Sequence, residues 1–172
     1  MKPARNRARA GAPKGSTERL TVSNRTRDTA DVRIAIVSSS FRPEVTKSLE
    51  KHCVATLEHQ GVQKNQLTFV RVPGALEIPL AAKRLAQKGA YSAIIVFGAI
   101  YKGKTYHFEQ IANECSRGCM DVSLQYEIPV IFEVLAVYNP RDAIERATRA
   151  VENKGAEAAM TALSMIALLK KI

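Results

Sequence analysis

The sequence predicts an α/β protein built on a four-stranded parallel sheet, and three observations support this fold class. Four short apolar runs rich in β-branched residues lie between residues 33 and 137. Each run is continuous rather than alternating, which is typical of strands that are covered on both faces. Segments of helical length and period separate the runs. Strands that alternate with helices form a parallel sheet with right-handed crossovers and helices on both faces.

The elements follow in the order β-α-β-α-β-α-β-α-α, which predicts a three-layer αβα sandwich with a flavodoxin-like arrangement. The first two helices each have a proline at or beside their first residue and end before Gly61 or Gly89, the usual proline-first and glycine-last asymmetry. The predicted strands are Arg33–Ser38, Leu67–Val72, Ala93–Ile100 and Pro129–Val137. The predicted helices are Pro43–Gln60, Ile78–Lys88, Thr105–Gln125, Asn139–Glu152 and Ala156–Leu169.

The last three helices depend on spacing and on capping residues. In the third, Ile111, Cys115, Cys119 and Val122 recur at spacings of four, four and three, which places them on one face. An asparagine or aspartate can cap the start of the fourth helix, and we interpret the run 153–155 (Asn-Lys-Gly) as its stop signal. The fifth helix is rich in Ala, Leu and Met.

Composition excludes several classes of protein. The chain has 172 residues, of which 46% are hydrophobic and 24% are charged, as in an ordinary globular domain. No apolar run approaches the ~20 residues of a membrane span. Three cysteines are too few for a disulfide framework, and no secretory signal opens the sequence. We therefore expect a cytoplasmic protein with no membrane association.

The net charge of +10 is concentrated at the N-terminus, where residues 1–30 carry eight Lys or Arg against two acidic residues. This segment has almost no apolar residues, so we predict a disordered basic tail over 1–31 and a folded domain over 32–172. A solvated extension is the simplest interpretation. Contact with nucleic acid and an Arg-rich transit peptide are the alternatives.

Ligands of open parallel sheets bind beyond the carboxyl ends of the strands, which selects the loops of the predicted fold. The loop after the first strand offers Phe41, either a core residue or a stacking platform. The loop after the second strand combines Gly74, which permits close backbone approach, with Glu77 at a helix start. Glu77 is either a ligand-binding carboxylate or simply a complement to the helix dipole.

The loop after the third strand carries the strongest signal. It runs from a buried strand through the basic turn 102–104 (Lys-Gly-Lys) into a helix. Free N–H groups at a helix N-terminus beside lysines favour a phosphate or carboxylate, and Thr105 can cap the helix or bind the anion. His107 lies in the first turn, where the helix dipole favours a neutral imidazole that can accept a proton. A role as a surface histidine is the alternative.

The remaining candidates are weaker. Cys115 and Cys119 have a spacing that could hold a metal, but no further ligands lie nearby in sequence, so we favour core packing. The nucleotide signatures GxxxxGK[ST] and GxGxxG are absent. Arg146 and Lys154 are ordinary solvated charges by periodicity and gain a role only if the site of another subunit lies against them.

Four segments together resemble the 6,7-dimethyl-8-ribityllumazine synthase family: GALEIP (74–79), GAIYKGKTYHFE (98–109), IPVIFEVL (128–135) and AIERATRAVENKGAEAA (143–159). The resemblance covers 32–172 in order. It implies a transferase of riboflavin biosynthesis that condenses 5-amino-6-(ribitylamino)uracil with 3,4-dihydroxy-2-butanone 4-phosphate, with release of phosphate and water and without a metal or organic cofactor.

The resemblance also implies a role for each site residue. His107 is the proton donor and acceptor, Phe41 stacks on the pyrimidine, and Glu77 holds the ribityl chain. From an adjacent subunit, Phe132 closes the aromatic sandwich, Arg146 binds the phosphate and Lys154 approaches the pyrimidine edge. The other implied binding residues are Ala75 and Leu76 for the ribityl chain, Ala99, Ile100 and Tyr101, which present backbone groups to the heterocycle, and Lys104 and Thr105 for the phosphate.

Four positions depart from the usual pattern of the family: Arg42, Leu76, Lys102 and Glu133. Arg42 and Glu133 are expected to alter the rim of the pocket. The resemblance further implies a homopentamer, either alone or as twelve pentamers in a 60-subunit shell, and it allows riboflavin synthase as a partner. Two alternatives remain open, an archaeal-type riboflavin synthase and a non-catalytic shell that binds nucleic acid through the tail, although we do not expect the latter.

Overall fold

The computed structural model describes residues 29–172. Four strands form one sheet in the order β2-β1-β3-β4, and every neighbouring pair is parallel. The strands are β1 (Ile34–Ser39), β2 (Leu67–Val72), β3 (Ala93–Tyr101) and β4 (Val130–Val137). The helices are α1 (Pro43–His59), α2 (Ile78–Ala86), α3 (His107–Tyr126), α4 (Pro140–Thr148) and α5 (Lys154–Leu169).

The sheet is the middle layer of a three-layer sandwich, because alternate strand residues enter two different cores. Ile34 and Ile36 of β1 pack in one cluster with α1, α4 and α5. Ala35 and Val37 pack in the other with α2 and α3. All six residues of β1 are buried, as continuous apolar strands require. The predicted fold class, α/β with a flavodoxin-like parallel sheet, is confirmed.

Most predicted elements agree with the structure to within two residues at each end, and β2 agrees at both ends. The cysteines of α3 lie in the core beside α2, as their spacing predicted. Cys53, Cys115 and Cys119 are all buried and free. Burial raises the pKa of the Cys53 thiol to about 12.

The boundary between the last two helices was predicted wrongly. Helix α4 ends at Thr148, four residues early, and α5 begins at Lys154, two residues early. The cause is Asn153, which is buried and whose side chain forms hydrogen bonds with residues of both helices. Its Oδ1 accepts from the backbone N–H groups of Gly155 and Ala156, while its Nδ2 donates to the carbonyl of Ala147 at 2.8 Å. An asparagine that caps a following helix therefore looked like a stop signal.

Gly155 belongs to the first turn of α5 and permits its close approach to α1. A Cβ at this position would lie 2.1 Å from the backbone oxygen of Leu49. Only a residue without a side chain allows this contact. The approach seats Lys154 and the rest of α5 on the α1 side of the sheet.

The predicted tail, residues 1–31, lies mostly outside the described residues. Residues 29–31 form a turn, and Gln66 holds it by donating to the carbonyl oxygens of Thr29, Ala30 and Val32 at 2.7–3.0 Å. Within residues 29–172, no helix is both long and apolar enough to cross a bilayer.

Candidate active site

The carboxyl ends of β1 and β2 bring Phe41 and the glycine loop together. The backbone N–H of Ser40 donates to the carbonyl of Val72 at 2.8 Å, which ties the first loop to the end of β2. A Cβ on Gly74 would lie 3.3 Å from the Phe41 ring, so glycine allows the loop to pack against it. The ring is nevertheless 67% exposed. It is therefore a platform at the sheet edge and not a core residue.

Glu77 lies at the start of α2, where one of its carboxylate oxygens already accepts a hydrogen bond from the protein. Oε2 accepts from the backbone N–H of Gly74 at 2.8 Å, and the side chain remains exposed. Oε1 makes no hydrogen bond with any of the described residues. The carboxylate thus has a fixed position and one oxygen open to a hydroxyl donor. Leu76 beside it is half exposed.

Three of the other predicted binding residues have buried side chains: Ala75, Ala99 and Ile100. A ligand at the sheet edge can reach them only through backbone atoms. That geometry agrees with the backbone roles that the resemblance implies for the two residues of β3. Tyr101 ends the strand and is partly exposed.

Arg42 and Glu44 hold Tyr101 from two sides. The Arg42 guanidinium lies 4.4 Å from the centre of the Tyr101 ring, and the Tyr101 hydroxyl donates to Glu44 at 3.3 Å. Burial and the nearby Glu44 carboxylate raise the pKa of Tyr101. Arg42 adopts φ 56° and ψ 56°, a left-handed conformation that costs a non-glycine residue roughly 1–2 kcal/mol. The cation–π contact offsets part of this strain.

The two lysines of the basic turn before α3 have different surroundings. Lys102 pairs with Glu109 and lies 5.1 Å from the Phe108 ring centre, so it is not free for an anion. Lys104 and Thr105 are exposed and pair with no other side chain in the described part of the chain. The residue before the helix is Tyr106, and no side chain among residues 29–172 caps the helix. Of the two roles open to Thr105, the structure therefore does not show the cap, and anion binding remains the prediction.

His107 is the first residue of α3 and is exposed. The first-turn N–H groups of α3 and the side chains of Lys104 and Thr105 therefore lie at the same sheet edge as Phe41 and Glu77. Unpaired donors at a helix N-terminus favour an anion. Together these groups can hold a phosphate next to an imidazole.

Phe132, Arg146 and Lys154 lie elsewhere in the chain. Phe132 pairs with Val96 in the β3–β4 register, five residues before the end of β4, which is roughly 16 Å from the sheet edge at 3.3 Å per residue. Arg146 and Lys154 line a separate cavity of about 390 Å³, and Lys154 pairs with Glu157 there. Phe132 packs against the core on the α2–α3 side of the sheet, whereas Arg146 and Lys154 lie on α4 and α5 on the other side. These three predicted residues therefore lie apart from Phe41, Glu77 and His107 within one chain.

Glu133 follows Phe132 on β4 and points to the opposite face of the sheet, toward Arg146 and Lys154. The pKa of its carboxyl is raised to about 7. Burial is the main cause and Glu157 adds to it, while Lys154 and Arg146 act in the opposite direction. Its carboxyl therefore titrates near neutral pH beside two cations.

The sequence did not single out Glu44, Glu109 or Asn153 at this site. Glu109 pairs with Lys102 through Oε1, while its Oε2 is buried without a hydrogen-bond partner among residues 29–172. The only signal for this pair was a basic loop residue followed by an acidic residue in the first helical turn. The contact of Glu44 with Tyr101 spans 57 positions, so no local pattern indicates it.

A comparison with known protein families shows which family the chain is similar to. Residues 31–170 match the model of the family described as 6,7-dimethyl-8-ribityllumazine synthase. The match includes all four motifs and every predicted site residue, and it covers nearly all of the domain that the structure describes. The family consists of transferases of riboflavin biosynthesis, and the α/β fold described above is consistent with it. The chain belongs to the 6,7-dimethyl-8-ribityllumazine synthase family.

Proposed function

We propose that the protein condenses 5-amino-6-(ribitylamino)uracil with 3,4-dihydroxy-2-butanone 4-phosphate to form 6,7-dimethyl-8-ribityllumazine, with release of phosphate and water. The observation that supports this most directly is the placement of Lys104, Thr105 and His107 at the start of α3, at the sheet edge that also carries Phe41. All three are exposed and form no side-chain pair within residues 29–172. An anion site next to an imidazole suits a phosphate leaving group and the proton transfers that accompany it.

The phosphate substrate binds at the N-terminus of α3. The free N–H groups of the first turn and the helix dipole attract the dianion. Lys104 adds a charge and Thr105 a hydroxyl donor. His107, at the first helical position, donates and accepts the protons that move as phosphate leaves and the ring closes.

The pyrimidine substrate binds at the loops that follow β1 and β2. The exposed ring of Phe41 stacks on the heterocycle. Gly74 packs against this ring and holds the ring in place. The open oxygen of Glu77 accepts from a ribityl hydroxyl, and Leu76 packs against the chain of the sugar alcohol. The backbone of 99–101 borders the heterocycle.

An adjacent subunit completes the site with Phe132, Arg146 and Lys154. Two features support this division: Phe132 lies too far from the sheet edge to reach Phe41 in one chain, and Arg146 and Lys154 border a different cavity. Exposed apolar side chains on α2 and α3, among them Leu80 and Leu124, provide surface for contact between subunits. We therefore propose a pentamer as the smallest active unit, either alone or within a 60-subunit shell.

Most of the rate enhancement comes from positioning. Holding two reactants together supplies up to about 7–11 kcal/mol, whereas one general acid–base group supplies roughly 10²–10⁴-fold. We therefore expect His107→Ala to reduce kcat by about 10²-fold without abolishing turnover. Arg146→Ala should mainly raise the KM for the butanone phosphate, because it removes a charge that contacts only that substrate.

The test follows the absorbance of the lumazine product with both substrates. His59→Ala is the matched control, because His59 is an exposed histidine on α1 outside the site. If wild type forms no lumazine, the proposed reaction is wrong. If His107→Ala is as active as His59→Ala, the role of His107 is wrong but the reaction stands.

The basic tail is proposed to be dispensable for catalysis. A variant that lacks residues 1–28 should retain its turnover, since every proposed site residue lies after position 40. Loss of turnover on deletion would contradict this division of the chain.

A further inference from the structure

Glu133 is the only charged residue in the β4 strand, and the strand pattern shows which way it points. Alternate residues of a strand point to opposite faces of the sheet. Ile131 and Leu135, two positions on either side of Glu133, both lie in the core cluster with α1, α4 and α5. Glu133 therefore points toward the same helices, and its side chain is partly buried there.

The charged groups that face Glu133 come from both helices packed over this part of the strand. Arg146 lies on α4, while Lys154 and Glu157 lie on α5. On the neighbouring strand, the residue in register with Glu133 is the apolar Phe97. These three side chains are the charged groups in the described part of the chain that act on Glu133.

The cavity that Arg146 and Lys154 border is lined entirely by charged residues, and one of its three cations has no ion pair among residues 29–172. Lys154 pairs with Glu157, and Arg149 pairs with Glu145. Arg146 forms no ion pair with any residue of 29–172. Glu133 acts electrostatically on Arg146 and Lys154. Arg146 is thus the one cation of the cavity without an ion pair among residues 29–172, and Glu133 is a carboxylate that interacts with it electrostatically. Asp142 is the other carboxylate of this cavity without an ion pair in the same residues.

We propose that Glu133 is a positioning residue that competes with the phosphate substrate for Arg146, so that affinity for the phosphate substrate falls as the pH rises. This inference depends on the proposed function, because it assigns a pH response to the same site. The reaction chemistry itself stays with the groups at α3.

The direction follows from charge. Burial raises the pKa of Glu133 to about 7. Below pH 7 the carboxyl is neutral and Arg146 is available to the phosphate. Above pH 7 the carboxylate attracts Arg146 and repels the dianion. By linkage, phosphate binding near neutral pH must draw a proton onto Glu133.

The test compares wild type with Glu133→Gln, which keeps the shape and removes the charge. Initial rates are measured against butanone phosphate concentration at pH 6 and pH 8. The titration of the substrate phosphate is common to both proteins and cancels in their ratio. We expect similar KM values at pH 6, but a wild-type KM about three- to five-fold above that of Glu133→Gln at pH 8, as for a partly exposed charge pair. The kcat values should stay equal.

Glu145→Gln is the matched control, since Glu145 borders the same cavity but pairs with Arg149. It should follow the wild-type pH dependence. Equal KM ratios for wild type and Glu133→Gln at both pH values would overturn the proposal while leaving the proposed reaction intact. If Glu133→Gln does not accumulate as folded protein, Glu133→Ser provides the same comparison.

A second measurement does not depend on turnover. Calorimetric titration with inorganic phosphate at pH 7, in two buffers with different ionisation enthalpies, counts the protons taken up on binding. Wild type should take up more protons than Glu133→Gln. Equal uptake would overturn the role of Glu133, whereas absence of lumazine formation would overturn only the proposed reaction.

Discussion

The close contact between α5 and α1 predicts that one methyl group added at Gly155 lowers the stability of the protein. In Gly155→Ala, the new Cβ would lie 2.1 Å from the Leu49 carbonyl oxygen and 2.8 Å from its carbonyl carbon. Both are backbone atoms of a buried helix, so no side-chain rotation can relieve the overlap. Helix α5 would have to move away by about 1 Å, because cores are close-packed and cannot absorb the change.

The magnitude follows from two opposing effects. Alanine in place of glycine favours a helix by about 1 kcal/mol. Overpacking a rigid core costs about 1–3 kcal/mol and sometimes more. Displacement of α5 would also loosen Ala158, Ala159 and Ala162, which are fully buried against the same core. We expect a net loss of about 2 kcal/mol, the upper end of this difference, which lowers the melting temperature by roughly 4–8 °C in a domain of this size.

Thermal unfolding at one fixed protein concentration measures the effect, because the melting temperature of a protein that self-associates depends on its concentration. Gly103→Ala is the matched control, since a Cβ there meets no atom within 4 Å. It should melt with wild type. If Gly155→Ala melts within about 2 °C of the control, the close approach of α5 to α1 does not determine the stability of this domain.

Three further predictions concern stability and reactivity. Because the pKa of Glu133 is raised from 4.5 to about 7, its stabilising neutral form is lost as the pH rises through this window. Glu133→Gln should therefore match wild type near pH 4.5 but exceed its stability by about 1–2 kcal/mol at pH 8 after solvent screening. Equal stability of the two proteins at pH 8 would contradict the burial of the carboxyl. Asn153→Ala should lose about 2–3 kcal/mol and accelerate amide exchange at Gly155 and Ala156; unchanged exchange would show that the cap is dispensable. The three buried cysteines should resist a thiol reagent at pH 8 until the protein unfolds, and rapid labelling of native Cys53 would contradict its burial.

Local patterns predicted nearly all of the fold. Strand β2 was predicted at both ends, since a β-branched run between polar residues is a local signal. The core side of α3 followed from its cysteine spacing. The α4–α5 boundary failed because Asn153 hydrogen-bonds to residues on both sides of it, and the sequence alone does not distinguish a cap from a stop.

The candidate site was predicted in its location but not in its pairings. The loop rule selected the strand ends that carry Phe41, Glu77 and His107, because chain direction in a parallel sheet places those ends at one edge. The pairing of Lys102 with Glu109 removed one of the two predicted anion-binding lysines.

The sequence alone determined the layer order, the buried faces and the loops that border the site, since each depends on the period of apolar residues within about twenty positions. Only the tertiary structure decided which charges meet. The approach of Gly155 to Leu49, the contact of Arg42 with Tyr101 and the place of Glu133 between α4 and α5 join residues that are distant in sequence. Such contacts depend on how helices pack on the sheet, and side-chain periodicity specifies the packed face but not the partner across it.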